Sequence, residues 1–317
     1  SYTYDNNYRL TYSTGMWNNN QINYDLQMIY SPSGRIENKS LNGSRISNGG
    51  IQGITKEVDY SYFATHPQQI EMTYNNATGE DEHYLWDEKG NMIEHSNPSI
   101  GQQRRHCWTE DNRLEAFSDR DNGAWYSYDA TSERSLKLTG PTMYINQNGI
   151  DYYSPILLHT TLYANPLITL SDRGYTKHYF EEGRRICSKI GSGGLIDIGG
   201  NMEGINQGIE EIRDLQREGV EKTFDICMQI YPYINTNNLH ETVVKPYEGQ
   251  INPDEPIFYY HSDHLGSASF LTDTNGIETQ QLVYLPFGED WVDMKYNTGQ
   301  YDTPYKFNGK EKDEETG

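Results

Sequence analysis

The sequence predicts a mainly all-β chain, a spiralling antiparallel sheet of β-hairpins with one helical segment inserted near residues 201–231. Three observations carry this: a degenerate unit repeated at intervals of about twenty residues, a period of two in hydrophobicity around it, and aromatic usage dominated by tyrosine. The unit is an aromatic, a polar or acidic turn, Gly or Asn, then Arg or Asn and an apolar strand start. It occurs as Tyr30-Ser31-Pro32-Ser33-Gly34-Arg35-Ile36, Trp86-Asp87-Glu88-Lys89-Gly90-Asn91-Met92, Trp108-Thr109-Glu110-Asp111-Asn112-Arg113-Leu114 and Phe180-Glu181-Glu182-Gly183-Arg184-Arg185-Ile186. Tyr128 is the next aromatic in register after Trp108.

Each unit reads as a hairpin. The aromatic ends one strand, and the Gly or Asn tolerates the positive φ that lets the next strand run back antiparallel. Around the turns, Ile70, Met72 and Tyr74 alternate with Glu71, Thr73 and Asn75, and Tyr84 and Trp86 alternate with His83 and Leu85, so each hairpin has an apolar and a wet face. A hairpin of this size cannot bury its apolar face alone, so successive hairpins must pair into one sheet, which strand twist will curl. Further turns are expected at Asn76-Ala77-Thr78-Gly79 and Asp121-Asn122-Gly123.

From Gly191 the texture changes. Gly191-Ser192-Gly193-Gly194 and Gly199-Gly200 suggest a joint, and Ile205, Ile209, Ile212 and Leu215 lie on one helical face. After a break expected at Gly219 the stripe continues through Val220, Phe224, Cys227 and Ile230, and Pro232 ends it. A connection containing Pro246, Pro253 and Pro256 follows before strand pattern resumes at Ile257. The expected domains are residues 1–190 (hairpin repeats), 191–256 (joint, helical insertion and linker) and 257–317.

Composition fits a large, partly wet sheet. There are 27 Tyr against 8 Phe and 5 Trp, and tyrosine packs its ring while its hydroxyl reaches water or backbone. Hydrophobic residues make up 34% and the mean hydropathy is −0.86, low for one solid core, so either much of the sheet is two-sided and wet or the chain is a piece of something larger. It begins Ser1-Tyr2-Thr3-Tyr4-Asp5, which already reads as strand and turn, as in an excised or processed segment. No apolar run is long enough for a membrane span. The net charge of −21 argues against nucleic acid or anionic lipid as partners, and suits either solubility or a basic protein cargo. Cys107, Cys187 and Cys227 are too few and too scattered for a disulfide framework, and at most one bridge could form.

Candidate sites have structural readings that outweigh their chemical ones. His261, Asp263 and His264 are metal-binding residue types, but on a strand His264 points away from the other two, and Asp263 suits a turn cap before Gly266. Asp273-Thr274-Asn275-Gly276 and Asn297-Thr298-Gly299 faintly echo an aspartic-protease Asp-Thr-Gly, yet only the first has its Asp and Asn-Gly marks a turn. The Gly-rich stretch lacks phosphate-loop spacing. Adjacent His106 and Cys107 face opposite ways on a strand, so they are not a nucleophile pair. Asn38-Lys39-Ser40, Asn42-Gly43-Ser44 and Asn76-Ala77-Thr78 match the N-glycosylation pattern, a short motif that carries little weight alone. No pattern calls for a cofactor, a metal or a catalytic residue.

Three phrases near the end are more specific: Phe258-Tyr259-Tyr260-His261-Ser262-Asp263-His264-Leu265-Gly266-Ser267, then Tyr284-Leu285-Pro286-Phe287-Gly288-Glu289, then Phe307-Asn308-Gly309-Lys310-Glu311. In this order they resemble the core region of the RHS/YD-repeat family, and the units of residues 1–190 resemble its repeats more loosely. The resemblance implies hairpins wound into a hollow shell whose core region helps to seal one end. In bacterial toxin members such a shell encloses a C-terminal toxin released by self-cleavage. The downstream Tyr-Gly-Ala-Arg-like stretch and cleavage aspartates have no counterpart here, so no catalytic residue carries over.

On this resemblance the chain is expected to be secreted or at a bacterial cell surface. Its implied partners are a toxin or effector cargo and the remainder of the shell, with an immunity protein or secretion apparatus beyond them. The structural residues expected to matter are Tyr30, Gly34, Trp86, Gly90, Trp108, Asn112, Phe180, Gly183, His261, Asp263, His264, Gly266, Pro286, Gly288 and Gly309. The competing expectation is an extracellular module that binds carbohydrate or protein through exposed tyrosines. An enzyme in its own right would need convergent titratable groups in a pocket, which one sequence does not display.

Overall fold

The computed structural model describes residues 1–18, 21–47, 50–147, 150–171, 174–191, 217–228, 233–234, 255–296 and 301–316. The Gly-rich joint beyond Gly191, the stripe from Ile205 to Leu215, Ile230, Pro246, Pro253 and Asn297-Thr298-Gly299 lie outside them. The chain is mostly β-strand with one described helix, as the sequence predicts. It divides into two units, Ser1–Gln102 with Tyr260–Lys312, and Gln103–Tyr259 with Asp313–Gly317.

In the first unit, β1 (Tyr2–Tyr4), β2 (Leu10–Trp17), β3 (Ile22–Tyr30), β4 (Ile36–Ser47), β5 (Gly50–Tyr62), β6 (Ile70–Asn75), β7 (Glu80–Trp86) and β8 (Met92–Asn97) form an antiparallel meander, each paired with the next. A second antiparallel run is the later part of β19 (Ile257–Ser262), β20 (Ala268–Thr272), β21 (Glu278–Tyr284) and β22 (Asp290–Lys295). β22 meets β4 in a parallel bridge between Val292 and Ile46.

Period two is clearest in β3, where Ile22, Tyr24, Leu26 and Met28 are buried while Asn23 and Gln27 are exposed. That face packs with Leu10, Leu41, Leu285, Trp291 and Val292 into one core cluster. β6 departs from the expected alternation. Thr73, on the supposedly wet face, is buried, whereas Tyr74 is exposed. On the face carrying Glu71, Thr73 and Asn75 only Thr73 is buried, with Glu71 exposed and Asn75 half-buried, and hydrophobicity alone did not show it because the residue is polar.

In the second unit, β9 (Gln102–Trp108, from Gln103 onward), β10 (Leu114–Ser118), β11 (Asn122–Tyr128) and β12 (Arg134–Gln147) pair antiparallel in turn. The first half of β12 continues to β14 (His159–Asn165), β15 (Ile168–Ser171), β16 (Gly174–Glu181), β17 (Arg184–Gly191) and Ile257–Tyr259 of β19. Its second half pairs instead with β13 (Ile150–Leu157), which also pairs in parallel with β18 (Tyr233–Ile234).

Gly123 explains how β13 fits. A Cβ there would lie 2.5 Å from Pro155 Cβ, so this glycine admits a crossing strand. The turn lies one step earlier than Asn-Gly suggested: Asp119 Oδ1 accepts the Asp121 and Asn122 N–H groups, each at 2.8 Å.

The helix, α1 (217–228), buries Val220, Phe224 and Met228 against Cys107, Ala116, Trp125, Leu136, Leu138 and Leu157. The 3.6-residue period holds, but its stripe passes through Met228 and leaves Cys227 on the exposed side. Gly219 lies inside the helix rather than breaking it. Its carbonyl accepts the Thr223 hydroxyl at 2.9 Å, and packing of Val220 and Phe224 outweighs the roughly 1 kcal/mol that glycine costs a helix.

Candidate functional site

The repeated unit is one local structure used again and again. With the last strand residue as position one, an aromatic in every case here but Ser262, the position-five N–H donates to the position-two carbonyl: Gly34 to Ser31 at 3.0 Å, Gly90 to Asp87 at 3.1 Å, Asn112 to Thr109 at 3.1 Å, Gly266 to Asp263 at 3.1 Å and Gly288 to Leu285 at 2.9 Å. The position-two N–H donates to the position-six carbonyl, as from Ser31 to Arg35 at 2.8 Å and Asp87 to Asn91 at 2.9 Å. A side-chain oxygen at position two also accepts the position-six N–H, 2.8 Å for Asp87 and Asn91, 2.9 Å for Asp263 and Ser267. This geometry needs positive φ at position five, where Gly34 has +92°, Gly90 +88° and Asn112 +60°. The same pattern recurs at Tyr4-Asp5, Tyr128-Asp129 and Thr272-Asp273.

The aromatic has a separate task. Tyr30 Oη donates to the Leu10 carbonyl at 2.9 Å, Tyr62 Oη to Ile36 at 2.8 Å, Trp86 Nε1 to Ile70 at 2.7 Å, Tyr128 Oη to Leu114 at 2.7 Å and Tyr284 Oη to Ala268 at 2.9 Å. Every acceptor is the first strand residue after the preceding turn. The register shifts beside the turns before Leu10, Ile36, Ile70 and Leu114 leave such a carbonyl off the regular ladder, and the ring tip of the next hairpin satisfies it. The arginine before that acceptor lies over the same ring, Arg9 at 4.8 Å from the Tyr30 centroid, Arg35 at 5.0 Å from Tyr62 and Arg113 at 5.5 Å from Tyr128. Tyr128→Phe should therefore cost the second unit about 1 kcal/mol in urea denaturation, while Tyr179→Phe at an exposed ring should cost almost nothing.

Phe180 departs from this pattern. Glu182 and Gly183 both take positive φ, +49° and +77°, and Glu181 pairs directly with Arg184 in a two-residue turn. Phe180 has no polar tip, and the Arg185 guanidinium covers its ring at 5.1 Å. Trp108 occupies position one of its turn, with its ring 6.5 Å from that of His106.

The three phrases near the C-terminus come together in the first unit. Ala268 N–H donates to the Lys306 carbonyl at 3.1 Å and Asn308 N–H to Ser267 Oγ at 3.1 Å. The Phe307 ring stands edge-on to Tyr284 at 5.5 Å and fills the space a Cβ on Gly288 would take, 2.7 Å away. Gly309 has φ +62° and closes against the Gly266 carbonyl. Pro286 sits in the turn between them. Asp263 caps its turn through the Leu265 and Ser267 N–H groups. His261 stacks on Phe270 at 4.1 Å and meets Thr272 Oγ1 at 3.0 Å, and His264 occupies the turn itself. Among the described residues no group of three His, Cys, Asp or Glu side chains converges to hold a metal ion.

The segment 301–312 is held to β21 and β22 mainly by polar contacts. Fully buried Gln280 bridges Asp293 and Asp302, each at 2.8 Å, and accepts the Thr303 N–H at 3.1 Å. Lys306 pairs with Asp293 at 2.6 Å and Lys312 with Asp290 at 2.5 Å.

A cavity of about 390 Å³ opens on the face of β4 to β7, beside the turn before β22. Lys39, Lys56, Tyr60, Glu82, Tyr84, Glu289 and Trp291 line it. Tyr84 Oη donates to Glu82 Oε2 at 2.9 Å, His95 Nε2 lies 3.2 Å from the same oxygen, and the Tyr84 and His95 rings stack at 4.8 Å. The His95 and Tyr84 hydrogen bonds hold the Glu82 carboxyl down to about 2, against the effect of its burial. Burial pushes the Tyr60 hydroxyl up to about 12. Lys39 pairs with Glu289. Glu82 is ionised at neutral pH and accepts the Tyr84 hydroxyl, beside the ring faces of Tyr84 and His95. Sequence reasoning missed this cavity because its members come from four strands and a distant turn.

No family model matches the chain, and no curated protein is similar to it at a significant level. The solved structures it is similar to include a crystal structure of TcdB2-TccC3, at 14% identity and TM-score 0.34 over 98% of this chain and 16% of that one. A second is the Photorhabdus luminescens Tc holotoxin pore, at 14% identity and TM-score 0.33 over 99% of this chain and 16% of that one. A third, TcdB2-TccC3 without its hypervariable C-terminal region, shares 14% identity and TM-score 0.33 over 98% and 16%. This chain spans 16% of the length of each. No helix among the described residues is long and apolar enough to cross a membrane.

Proposed function

We propose that this chain is a wall segment of an RHS-type shell that surrounds and shields a toxin or effector domain of its parent protein. The observation that supports this most is the ladder of ring tips, arginines and turn carbonyls. It lets hairpins be added one after another along a sheet, which is what an extended wall requires and a compact enzyme does not. The mechanism is steric: a domain held behind the wall reaches neither its target nor another copy of itself. The side of the sheet with the β4 to β7 cavity faces the enclosed domain, and the clustered phrases of residues 262–312 pin the last hairpins. No catalytic step is assigned to the segment. The wall belongs to a secreted or surface protein, with the rest of the shell as its partner.

Adjacent positions on β5 test this. Lys56 lines the cavity and Glu57, its neighbour, points to the opposite face. In the parent protein with native cysteines replaced by serine, Glu57→Cys should react with a bulky maleimide at once, and Lys56→Cys only after denaturation. Equal reaction of both in the native protein would contradict enclosure. It would favour the rival reading, an adhesion module whose Tyr60, Tyr84 and Trp291 surface binds carbohydrate, which a glycan array would then reveal.

A further inference from the structure

The cavity on the face of β4 to β7 is short of positive charge where its rings lie. Lys39 is paired with Glu289, and Asp290 with Lys312. Arg45 lies at the far end with its guanidinium on Gln52, eight residues along β5 from Tyr60, or roughly 26 Å at the rise of a strand. That leaves Lys56 against two carboxylates, Glu80 and Glu82, and among the described residues no lysine or arginine forms an ion pair with either.

The strand register gathers these groups. Tyr60 on β5 is opposite Thr73 on β6, which is opposite Glu82 on β7, so a ring and a carboxylate flank one small buried side chain on the same face. Glu80 is on that face too, two residues before Glu82. Among the described residues the Tyr60 hydroxyl has no hydrogen-bond partner and its ring no cation over it. Elsewhere in the chain an arginine supplies that cation: Arg9 lies 4.8 Å from the Tyr30 centroid, Arg35 5.0 Å from Tyr62, Arg113 5.5 Å from Tyr128 and Arg134 4.4 Å from Tyr126. Burial pushes the Tyr60 hydroxyl up and the Glu289 and Glu82 charges add to it, so the potential at this ring favours a cation. Trp291, 4% exposed, lines the same cavity, and its indole N–H is buried with no acceptor among the described residues.

We propose that this cavity receives an arginine side chain of the domain that the wall encloses, an inference that rests on the shell reading. The guanidinium lies on the Tyr60 ring and donates to the Glu80 and Glu82 carboxylates, and a main-chain carbonyl of the incoming segment takes the Trp291 N–H. Arginine fits better than lysine, because its planar group stacks on a ring, reaches two carboxylates at once and sheds water more easily. The volume of about 390 Å³ lies within the range of small-ligand pockets. The wall then grips its cargo at a fixed point as well as surrounding it.

The test titrates the 317-residue chain with N-acetyl-arginine amide and with N-acetyl-citrulline amide, its uncharged analogue, followed by saturation-transfer NMR. The arginine compound should bind about tenfold or more tightly than the citrulline compound. Tyr60→Leu and Glu82→Gln should each weaken it about tenfold, whereas Tyr60→Phe and Glu57→Gln, the latter on the opposite face, should leave it nearly unchanged. Glu82→Gln and Tyr60→Phe keep the size of the side chain, so a folding defect in Tyr60→Leu does not decide the result. The proposal is overturned if the two compounds bind equally, if neither saturates the chain, or if Glu82→Gln binds as tightly as the native sequence. Saturable binding to the parent protein with its domain in place would also overturn it, since the cavity would then be empty. Absence of arginine binding while Lys56→Cys stays protected from maleimide removes this inference alone, whereas free reaction of Lys56→Cys removes the enclosure.

Discussion

Asp313→Asn should destabilise the second unit by about 3 kcal/mol, seen as a lower urea midpoint followed by Trp125 fluorescence. Both Asp313 oxygens accept Arg134 Nη groups at 2.7 Å, and Lys137 Nζ lies 2.8 Å from one of them. Glu315 takes the Tyr126 hydroxyl at 2.6 Å and pairs with Lys137 at 2.9 Å, while the Arg134 guanidinium lies 4.4 Å from the Tyr126 ring centroid. Burial would push the Asp313 carboxyl up, but its bonds to Arg134 and the Lys137 charge win, and it lies below the ordinary carboxylate range. Asparagine keeps the size and removes the charge, so the Arg134 and Lys137 cations are left mostly buried with one carboxylate between them. Replacing Arg134 and Asp313 together by Met and Leu should cost much less, because no uncompensated ion remains. An unchanged midpoint in Asp313→Asn would show that solvent already screens the cluster.

The second large effect concerns acid. His178 is 3% exposed with Nδ1 2.9 Å from Ser188 Oγ, and burial, with Arg185 nearby, depresses it to about 3. In the unfolded chain its value is about 6.5. Below that pH the unfolded chain binds a proton that the folded one does not, so the stabilisation is complete above 6.5 and is lost as pH falls towards 3. The slope is about 1.4 kcal/mol per pH unit, or roughly 3 kcal/mol between pH 6.5 and 4.5. The lowered carboxylates, Asp313 among them, lose their contribution only as pH falls below about 4, so the two effects occupy different windows. His178→Gln should remove most of the pH 4.5 loss, measured by urea titration at pH 7.5 and 4.5. An equal loss in that variant would assign the acid sensitivity elsewhere.

Much of this architecture was legible because turns are local. Asp87, Gly90 and Asn91 are close in sequence, so their chemistry predicts the hairpin without knowledge of its neighbours. The partner of each ring was not legible, since Tyr30 reaches back past a whole hairpin to Leu10, and only the register of the intervening strands brings them together. The same holds for the phrases around Gly266, Gly288 and Phe307, recognisable singly but joined only by the fold. Phe180 matched the unit in letters yet lacks one turn residue, and a shorter turn forms. The β4 to β7 cavity was hidden for another reason: polar residues such as Thr73 are buried by what covers them, which alternation does not encode.

Hydrogen exchange at the turn amides tests the repeated structure most directly. If the unit is one bonded structure used throughout, the N–H groups of Gly34, Gly90, Asn112, Gly266 and Gly288 should all exchange about a hundredfold or more slowly than in an unstructured chain. Exchange of these five at the unstructured rate, with flanking strand amides still protected, would mean that ordinary open loops join the strands and that no common ladder links one hairpin to the next.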